Sequence, residues 1–118
     1  MDIKDEIKPE SNFDNFLALD IRTGTIIEAE DFPKAKRPAY KLKIDFGKLG
    51  IKVSSAQITK LYKKEDLIGR RIIAVVNFPK KQIANFFSEC LVLGAVKDNG
   101  EVVLLTAKEE CENGTVIG

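Results

Sequence analysis

The chain has 118 residues, of which 19 are Lys or Arg and 18 are Asp or Glu, so its net charge at pH 7 is +1. This length favours a single domain, and a hydrophobic fraction of 44% is enough for a buried core. No apolar run approaches the roughly 18–20 residues that a membrane span needs, and the acidic N-terminus lacks the apolar stretch of a signal peptide. We therefore expect a cytoplasmic protein with no membrane insertion.

The near-neutral net charge hides an uneven distribution. Residues 1–20 contain two Lys and six acidic residues, a net −4, and residues 97–118 contain two Lys and five acidic residues, a net −3. Residues 21–96 therefore hold 15 basic and seven acidic residues, a net +8. A basic central region between acidic termini can mark a nucleic-acid-binding surface.

The residue types exclude several kinds of chemistry. The chain has no histidine, which removes His-based triads and His metal ligands, and its two cysteines, Cys90 and Cys111, cannot form a zinc site by themselves. Cys90 lies in an apolar run and Cys111 among glutamates, so neither is expected to be a reactive thiolate, and both are expected to be free thiols. The sequence also lacks a Gly-rich phosphate loop and a Gly-x-Ser-x-Gly motif. It therefore predicts a protein that is not an enzyme and uses no cofactor or metal.

A tail and a short helix come first in chain order. Residues 1–12 are polar and charged, which predicts an acidic flexible tail, and residues 13–118 are expected to form a single domain. Ser11 has the spacing of a helix N-terminal cap, and the helix is expected to end before Asp20. Three apolar residues fall on one face of this helix: Phe13, Phe16 and Leu17.

Strand patterns follow the helix. Ile21–Glu30 is rich in β-branched residues, and Gly24 within it suggests a bulge or a sharp bend. Tyr40–Phe46 alternates apolar and polar residues, and a turn with two glycines joins it to a hairpin partner, Ile51–Ser54. The middle of the chain then favours short helical turns over Gln57–Tyr62 and Glu65–Ile68.

The second half of the chain predicts further strands. Arg71–Val76 is typical of a strand buried on most of its surface, and Lys80–Ser88 is expected to be a connector with helical tendency. The remaining expected strands are Cys90–Val96, Glu101–Thr106 and a short Thr115–Ile117. Five or six short strands with one short helix between them favour a mainly all-β fold class. Within this class they favour a small closed barrel. The five-stranded oligonucleotide-binding (OB) β-barrel matches this size and the mid-chain helix, and a plain sandwich is the alternative.

Basic residues in or beside the expected loops form three groups. They are Lys34, Lys36, Arg37, Lys41 and Lys43; Lys60, Lys63, Lys64, Arg70 and Arg71; and Lys80 with Lys81. If the barrel brings these groups to one side, phosphates are the expected ligand, because each neutralised phosphate releases counterions. A merely solubilising surface is the alternative.

Other side chains leave two interpretations open. Phe86 and Phe87 are adjacent, so one of them, or Phe78, is expected to be exposed, either as a cap over the barrel or as a stacking or peptide contact. Five polar residues lie at expected strand ends: Ser54, Ser55, Asn77, Ser88 and Glu89. Their side chains can contact base edges and sugar hydroxyls, or they can satisfy the backbone of turns, which the residues by themselves favour.

Five segments together resemble a known family. They are DIRTGTI at Asp20–Ile26, PAYKLKIDFG at Pro38–Gly47, SSAQIT at Ser54–Thr59, VVNFP at Val75–Pro79, and Ser88-Glu89. In this order they are similar to CsaA, an export-related chaperone family built on the tRNA-binding domain. The resemblance extends from about Asn12 to the end of the chain. One departure is Asn85 after Ile83-Ala84, where the family usually has Gly; Asn is the next most tolerant residue for positive φ.

The resemblance implies an OB barrel that forms a homodimer and binds tRNA by shape and backbone. The residues it implies on the RNA side, together with the basic residues, are Lys36, Arg37, Ser54, Ser55, Asn77, Lys80, Lys81, Ser88 and Glu89. The dimer contact it implies consists of Phe13, Phe16, Leu17, Val116 and Ile117. The alternative function is a chaperone for unfolded or export-destined polypeptides, with Phe78, Phe86 and Phe87 as the peptide contact.

Overall fold

The computed structural model of the chain describes residues 5–118. The expected fold class is confirmed, because a nearly closed five-stranded antiparallel barrel with two short helices forms the centre of the molecule. The elements are α1 (Phe13–Leu17), β1 (Ile21–Asp31), β2 (Tyr40–Asp45), β3 (Ile51–Ala56), α2 (Lys64–Leu67), β4 (Arg71–Val75), β5 (Lys81–Ile83), β6 (Phe86–Ser88), β7 (Leu91–Val92), β8 (Gly94–Val96) and β9 (Val102–Leu104). Residues 1–4 of the predicted tail lie outside the described residues, and residues 5–12 are exposed. None of the described helices is long and apolar enough to cross a membrane.

β1 is the central strand of the barrel sheet, whose order is β3-β2-β1-β4-β7. The first half of β1 pairs with β4 and the second half with β2. The predicted bulge is present, but it lies between Ile26 and Glu28 and not at Gly24. Gly24 is instead a point of close packing, because a Cβ there would lie 2.8 Å from both Ile44 Cγ2 and the Phe46 ring. Gly24 therefore allows close packing in the core, and the bulge three residues later changes the register between β1 and β2.

The core forms where the buried face of β2 packs against the other strands. Tyr40, Leu42 and Ile44 are buried, as the period-2 pattern predicts, and Phe46 after the strand is fully buried. The Tyr40 hydroxyl donates a hydrogen bond of 2.8 Å to the carbonyl of Tyr62. Both buried tyrosines thus keep a polar partner, because the Tyr62 hydroxyl accepts a bond from a backbone N–H of β9.

A seam of side-chain hydrogen bonds completes the barrel between β3 and the residues before β7. The Glu89 N–H donates to the Val53 carbonyl at 2.8 Å, and the Val53 N–H donates to Glu89 Oε1 at 3.0 Å. The Ser54 hydroxyl donates to the Cys90 carbonyl at 2.9 Å. We call Val53, Ser54, Ser55, Ser88, Glu89 and Cys90 the seam. Side chains here supply bonds that a regular ladder would take from the backbone.

The helical tendency predicted for Lys80–Ser88 is wrong, because this segment is the hairpin β5–β6. Phe86 packs edge-on against Phe32, with ring centroids 5.5 Å apart, so a tertiary contact outweighs local propensity. The positive φ of the turn, 55°, falls on Ala84 and not on Asn85.

The other expected elements differ mainly at their ends. The expected strand Cys90–Val96 divides into β7 and β8, and the short final strand is reduced to one bridge, Arg22 with Val116. The C-terminal segment nevertheless docks on β1, because the Thr23 hydroxyl donates to the Glu112 carbonyl at 2.9 Å. At the other end of the chain, Asn12 and not Ser11 caps α1.

Candidate functional site

A pocket of about 420 Å³ lies among the loop 32–39, the end of β3 and the hairpin β5–β6. Its cations are Lys34, Lys36, Arg37 and Lys81. Among residues 5–118, none of these four side chains has a carboxylate within ion-pair distance, and no acidic residue lines the pocket. We call this site the cationic pocket. It brings Lys81 next to three loop cations that lie more than 40 residues earlier in the chain.

Neutral polar side chains also line the cationic pocket. The Ser55 hydroxyl and the Gln57 amide have no hydrogen-bond partner within the described part of the chain, whereas Gln82 Nε2 donates to the Ala84 carbonyl at 3.1 Å. Sequence reasoning identified Ser55 but missed both glutamines. Gln57 lies two residues after Ser55 at the end of a strand, and this spacing was a signal that could have found it.

Several other cations of the predicted basic groups form ion pairs with carboxylates. Lys43 Nζ lies 3.3 Å from Glu28 Oε2, and Lys41 Nζ lies 3.9 Å from Glu30 Oε2. We call these four residues of β1 and β2 the paired face. Next to it, the hydrogen bond and the charge of Asp31 raise the pKa of Lys64. The paired face offers a phosphate ligand less than its lysine content suggests, because each lysine is accompanied by an acidic group.

Lys80 and Glu89 lie outside the cationic pocket and interact with each other. Lys80 Nζ is 3.8 Å from Glu89 Oε2, while the other oxygen of Glu89 accepts the Val53 N–H. Lys80 is exposed, so its charge remains near the surface that Lys81 helps to form. Glu89 is tied to the seam and brings a negative charge, which disfavours a direct contact with phosphate.

Three more residues implied on the RNA side have hydrogen-bond partners within the fold. Ser54 is 1% exposed and Ser88 is 9% exposed, and both hydroxyls donate to the Cys90 carbonyl. Asn77 lies on the surface, but its Oδ1 accepts the Asp20 N–H at 2.8 Å and its Nδ2 donates to a carbonyl at the end of α1. These hydrogen bonds stabilise the seam and the α1–β1 connection, and the RNA contact of these three residues stays a prediction.

An apolar groove of about 560 Å³ adjoins the cationic pocket and shares Ser55, Gln57, Lys81 and Ile83 with it. Its apolar lining residues include Phe78, Ile83, Leu91, Val92, Leu93 and Val96. Phe78 is 43% exposed there, whereas Phe86 is packed and Phe87, at 52% exposure, lies outside the groove lining. Of the three predicted peptide contacts, only Phe78 is therefore placed in the groove.

Cys90 lies beneath this surface, in both the groove lining and the seam. Burial raises the pKa of its thiol to about 11, so the thiol stays protonated near neutral pH. Cys90 and Cys111 are both free, as the sequence predicts.

Four of the five residues implied in a dimer contact are exposed in the single chain, whereas Ile117 is half-buried and its N–H donates to the Ile21 carbonyl. α1 buries none of its residues, and the rings of Phe13 and Phe16 stack with centroids 6.0 Å apart. Val116 is also exposed, beside the start of β1. The homodimer stays a prediction.

Comparison with known proteins shows the family. Residues 21–116 match the family model described as "Putative tRNA binding domain". The chain belongs to the tRNA-binding domain family. This family is defined by binding and not by a catalytic reaction.

Solved structures confirm the resemblance to CsaA. The chaperone CsaA from Bacillus anthracis is 57% identical with a TM-score of 0.89, and the match covers 93% of this chain and 100% of that one. The CsaA chaperone protein from Picrophilus torridus is 55% identical with a TM-score of 0.87, over 92% of this chain and 100% of that one.

The curated relatives are much longer enzymes. The methionine–tRNA ligase of Methanocaldococcus jannaschii is 35% identical over 84% of this chain, and the match covers 15% of the ligase. The chain therefore spans about 15% of the length of the curated relatives it matches.

Proposed function

We propose that this protein binds tRNA through the cationic pocket, by contacts with the sugar–phosphate backbone and without catalysis. One observation carries the proposal: Lys34, Lys36, Arg37 and Lys81 converge on one pocket and have no acidic partner among residues 5–118. Membership of the tRNA-binding domain family supports the choice of ligand. A tRNA ligand would place the protein in the cytoplasm.

Binding of this kind is governed by counterion release. The logarithm of the association constant falls by about 0.7–0.9 per phosphate contact for each tenfold rise in salt. Four contacts then predict a loss of affinity on the order of 100-fold between about 50 and 200 mM salt. The acidic segments of the chain limit attraction to polyanions outside the pocket, because the whole chain carries only +1.

A charge-reversal pair tests this proposal by measuring tRNA binding on filters over a salt series. Lys81→Glu should weaken binding at least about tenfold and make the salt dependence shallower by about one contact. Lys48→Glu makes the same change of charge in the turn at the far end of β2, where Lys48 is exposed and lines no described pocket. It should cost less than about threefold. Equal losses in the two variants would contradict a role for the pocket.

The homodimer is part of the same proposal. Phe13, Phe16 and Leu17 form an apolar face that the single chain leaves exposed, and Val116 is exposed as well. A second copy would bury these side chains. Phe16→Asp should convert a dimer to a monomer in light scattering, whereas a dimer that survives this change would place the contact elsewhere.

A second candidate function is the holding of unfolded polypeptides in the apolar groove. The observation that favours it is the exposed apolar lining, with Phe78 beside Lys81. Phe78→Ser should reduce suppression of aggregation of a denatured client protein, and Phe87→Ser is the matched control outside the groove. If Phe87→Ser lowers protection and Phe78→Ser does not, the groove is not the client site.

A further inference from the structure

We infer that the cationic pocket receives a single unpaired nucleotide of an RNA, and that Gln57 contacts its base or ribose. This inference rests on the proposed function and goes beyond it, because it names the RNA element that enters the site. The shape of the pocket, its mixed lining and its unpartnered polar groups each point to this ligand.

The shape of the pocket favours a protruding group. Three separate parts of the chain line it, and its volume of about 420 Å³ is within the range of about 300–1,000 Å³ in which proteins bind small molecules. The phosphates of an A-form duplex lie on a convex surface, and its bases are stacked inside. A duplex can therefore touch the rim of the pocket, whereas a nucleotide that has left the stack can enter it.

The chemistry of the lining matches a whole nucleotide better than a phosphate alone. The four cations suit the phosphate, and the Ser55 hydroxyl and the Gln57 amide can donate and accept hydrogen bonds with a base edge or a ribose hydroxyl. Ala35, Ala39 and Ile83 add an apolar surface for the face of a ring. Neither a bare phosphate nor an apolar side chain would use all three kinds of group.

The hydrogen-bond pattern separates Gln57 from the other polar residues nearby. Ser54, Ser88 and Glu89 all have partners in the seam, and Gln82 bonds within its own hairpin. The Gln57 amide and the Ser55 hydroxyl have none within residues 5–118. They are the neutral groups of the pocket that are free to recognise a ligand.

The test compares two RNA probes of one sequence, a blunt duplex of about 12 base pairs and the same duplex with a one-nucleotide bulge. The wild-type protein should bind the bulged RNA roughly tenfold more tightly, since the extruded nucleotide adds hydrogen bonds that the duplex cannot. Gln57→Ala should reduce this preference to less than about threefold while leaving the salt dependence unchanged, because the amide carries no charge. Asn85→Ala is the matched amide control, since Asn85 is exposed on the neighbouring turn and does not line the pocket.

Each outcome decides the inference. Equal binding of blunt and bulged RNA by the wild-type protein overturns it, even if tRNA binding through the cations persists. A bulge preference that survives Gln57→Ala, or is lost equally in Asn85→Ala, also overturns it. Thermal unfolding of both variants checks that they are folded. If tRNA fails to bind but the bulged RNA is still preferred through Gln57, the proposed function fails and the nucleotide site stands.

Discussion

The cationic pocket and the paired face contain lysines from the same part of the sequence, yet the structure uses them differently. Lys34 and Lys36 lie on the loop before β2, and no carboxylate of the described chain lies within ion-pair distance of them. Lys41 and Lys43, a few residues later, stand directly across from Glu30 and Glu28 in the strand register. The bulge between Ile26 and Glu28 sets this register, so a local feature of β1 decides which lysines are paired.

The difference teaches that partners, and not residue type, determine what a charged group can do. The ion pairs of the paired face are exposed and contribute little to stability. Their carboxylates nevertheless repel a phosphate that approaches the lysines. The same holds for neutral groups in the seam, because the hydroxyls of Ser54 and Ser88 are already hydrogen-bonded within the barrel.

Neutralising each set of cations tests the comparison most directly. Lys36→Gln with Arg37→Gln should lower tRNA affinity roughly 50-fold at about 0.1 M salt, since two phosphate contacts are lost. Lys41→Gln with Lys43→Gln removes the same charge and should lower affinity less than about threefold. Filter binding at matched salt measures both. A loss of equal size in the two double variants would mean that the paired face also binds RNA.

Opening the seam should change barrel closure and not RNA contact. Glu89→Ala leaves the Val53 N–H without its side-chain acceptor, which costs about 1–2 kcal/mol, or roughly tenfold in the opening equilibrium. Cys90 is 6% exposed, so its labelling at pH 8 requires opening and should become at least roughly tenfold faster, because the variant also removes a charge that raises the pKa of Cys90.

Cys111 provides the internal reference for this labelling, because it is partly exposed in the same chain. The salt dependence of tRNA binding should remain that of the wild type in Glu89→Ala. A changed number of phosphate contacts, with labelling of Cys90 unaffected, would assign Glu89 to the RNA surface after all.

Removing the acidic members of the paired face should make it resemble the cationic pocket. Glu28→Gln with Glu30→Gln leaves Lys41 and Lys43 without their carboxylates. We expect tRNA affinity to rise about threefold, with a salt dependence steeper by about one contact. The same variant should gain affinity for unrelated polyanions such as heparin. An unchanged affinity for both ligands would show that the geometry of this face, and not its charge, excludes phosphates.

Relieving the turn that supports one wall of the cationic pocket should have the smallest effect. Ala84 has a φ of 55°, which glycine adopts without the steric cost that a Cβ brings. Ala84→Gly should raise the free energy of unfolding by about 0.5–1 kcal/mol, as measured by urea denaturation. Asn85→Gly, at a position without positive φ, should not stabilise the protein. A destabilised Ala84→Gly variant would mean that the alanine is not strained.

The sequence predicts the strands whose residues carry a local pattern. It misses the hairpin β5–β6, whose residues carry no such pattern. Alternation along Tyr40–Asp45 repeats every two residues, so the strand can be identified without its neighbours. The hairpin β5–β6 is stabilised by contacts such as Phe86 with Phe32, which are distant in the chain. Its helical assignment failed because propensity describes only the local part of the energy.

The candidate site could be predicted only in part. Lys36, Arg37 and Lys81 were identified as cations, and the structure places them in one pocket. The sequence predicts Ser54 and Ser88 on the RNA side. Both are buried, because the Ser54 hydroxyl donates across the seam to the Cys90 carbonyl and the Ser88 oxygen accepts the Ser55 N–H.

By itself the sequence determined the barrel class, the family and the supply of positive charge, because strand period, motif order and residue type are properties of the chain. The tertiary structure decided which charges and polar groups are free. That depends on distances between residues such as Lys43 and Glu28, or Ser54 and Cys90, which strand register and barrel closure set. A charge or hydroxyl that already has a partner contributes to the fold, and one that has none remains available to a ligand.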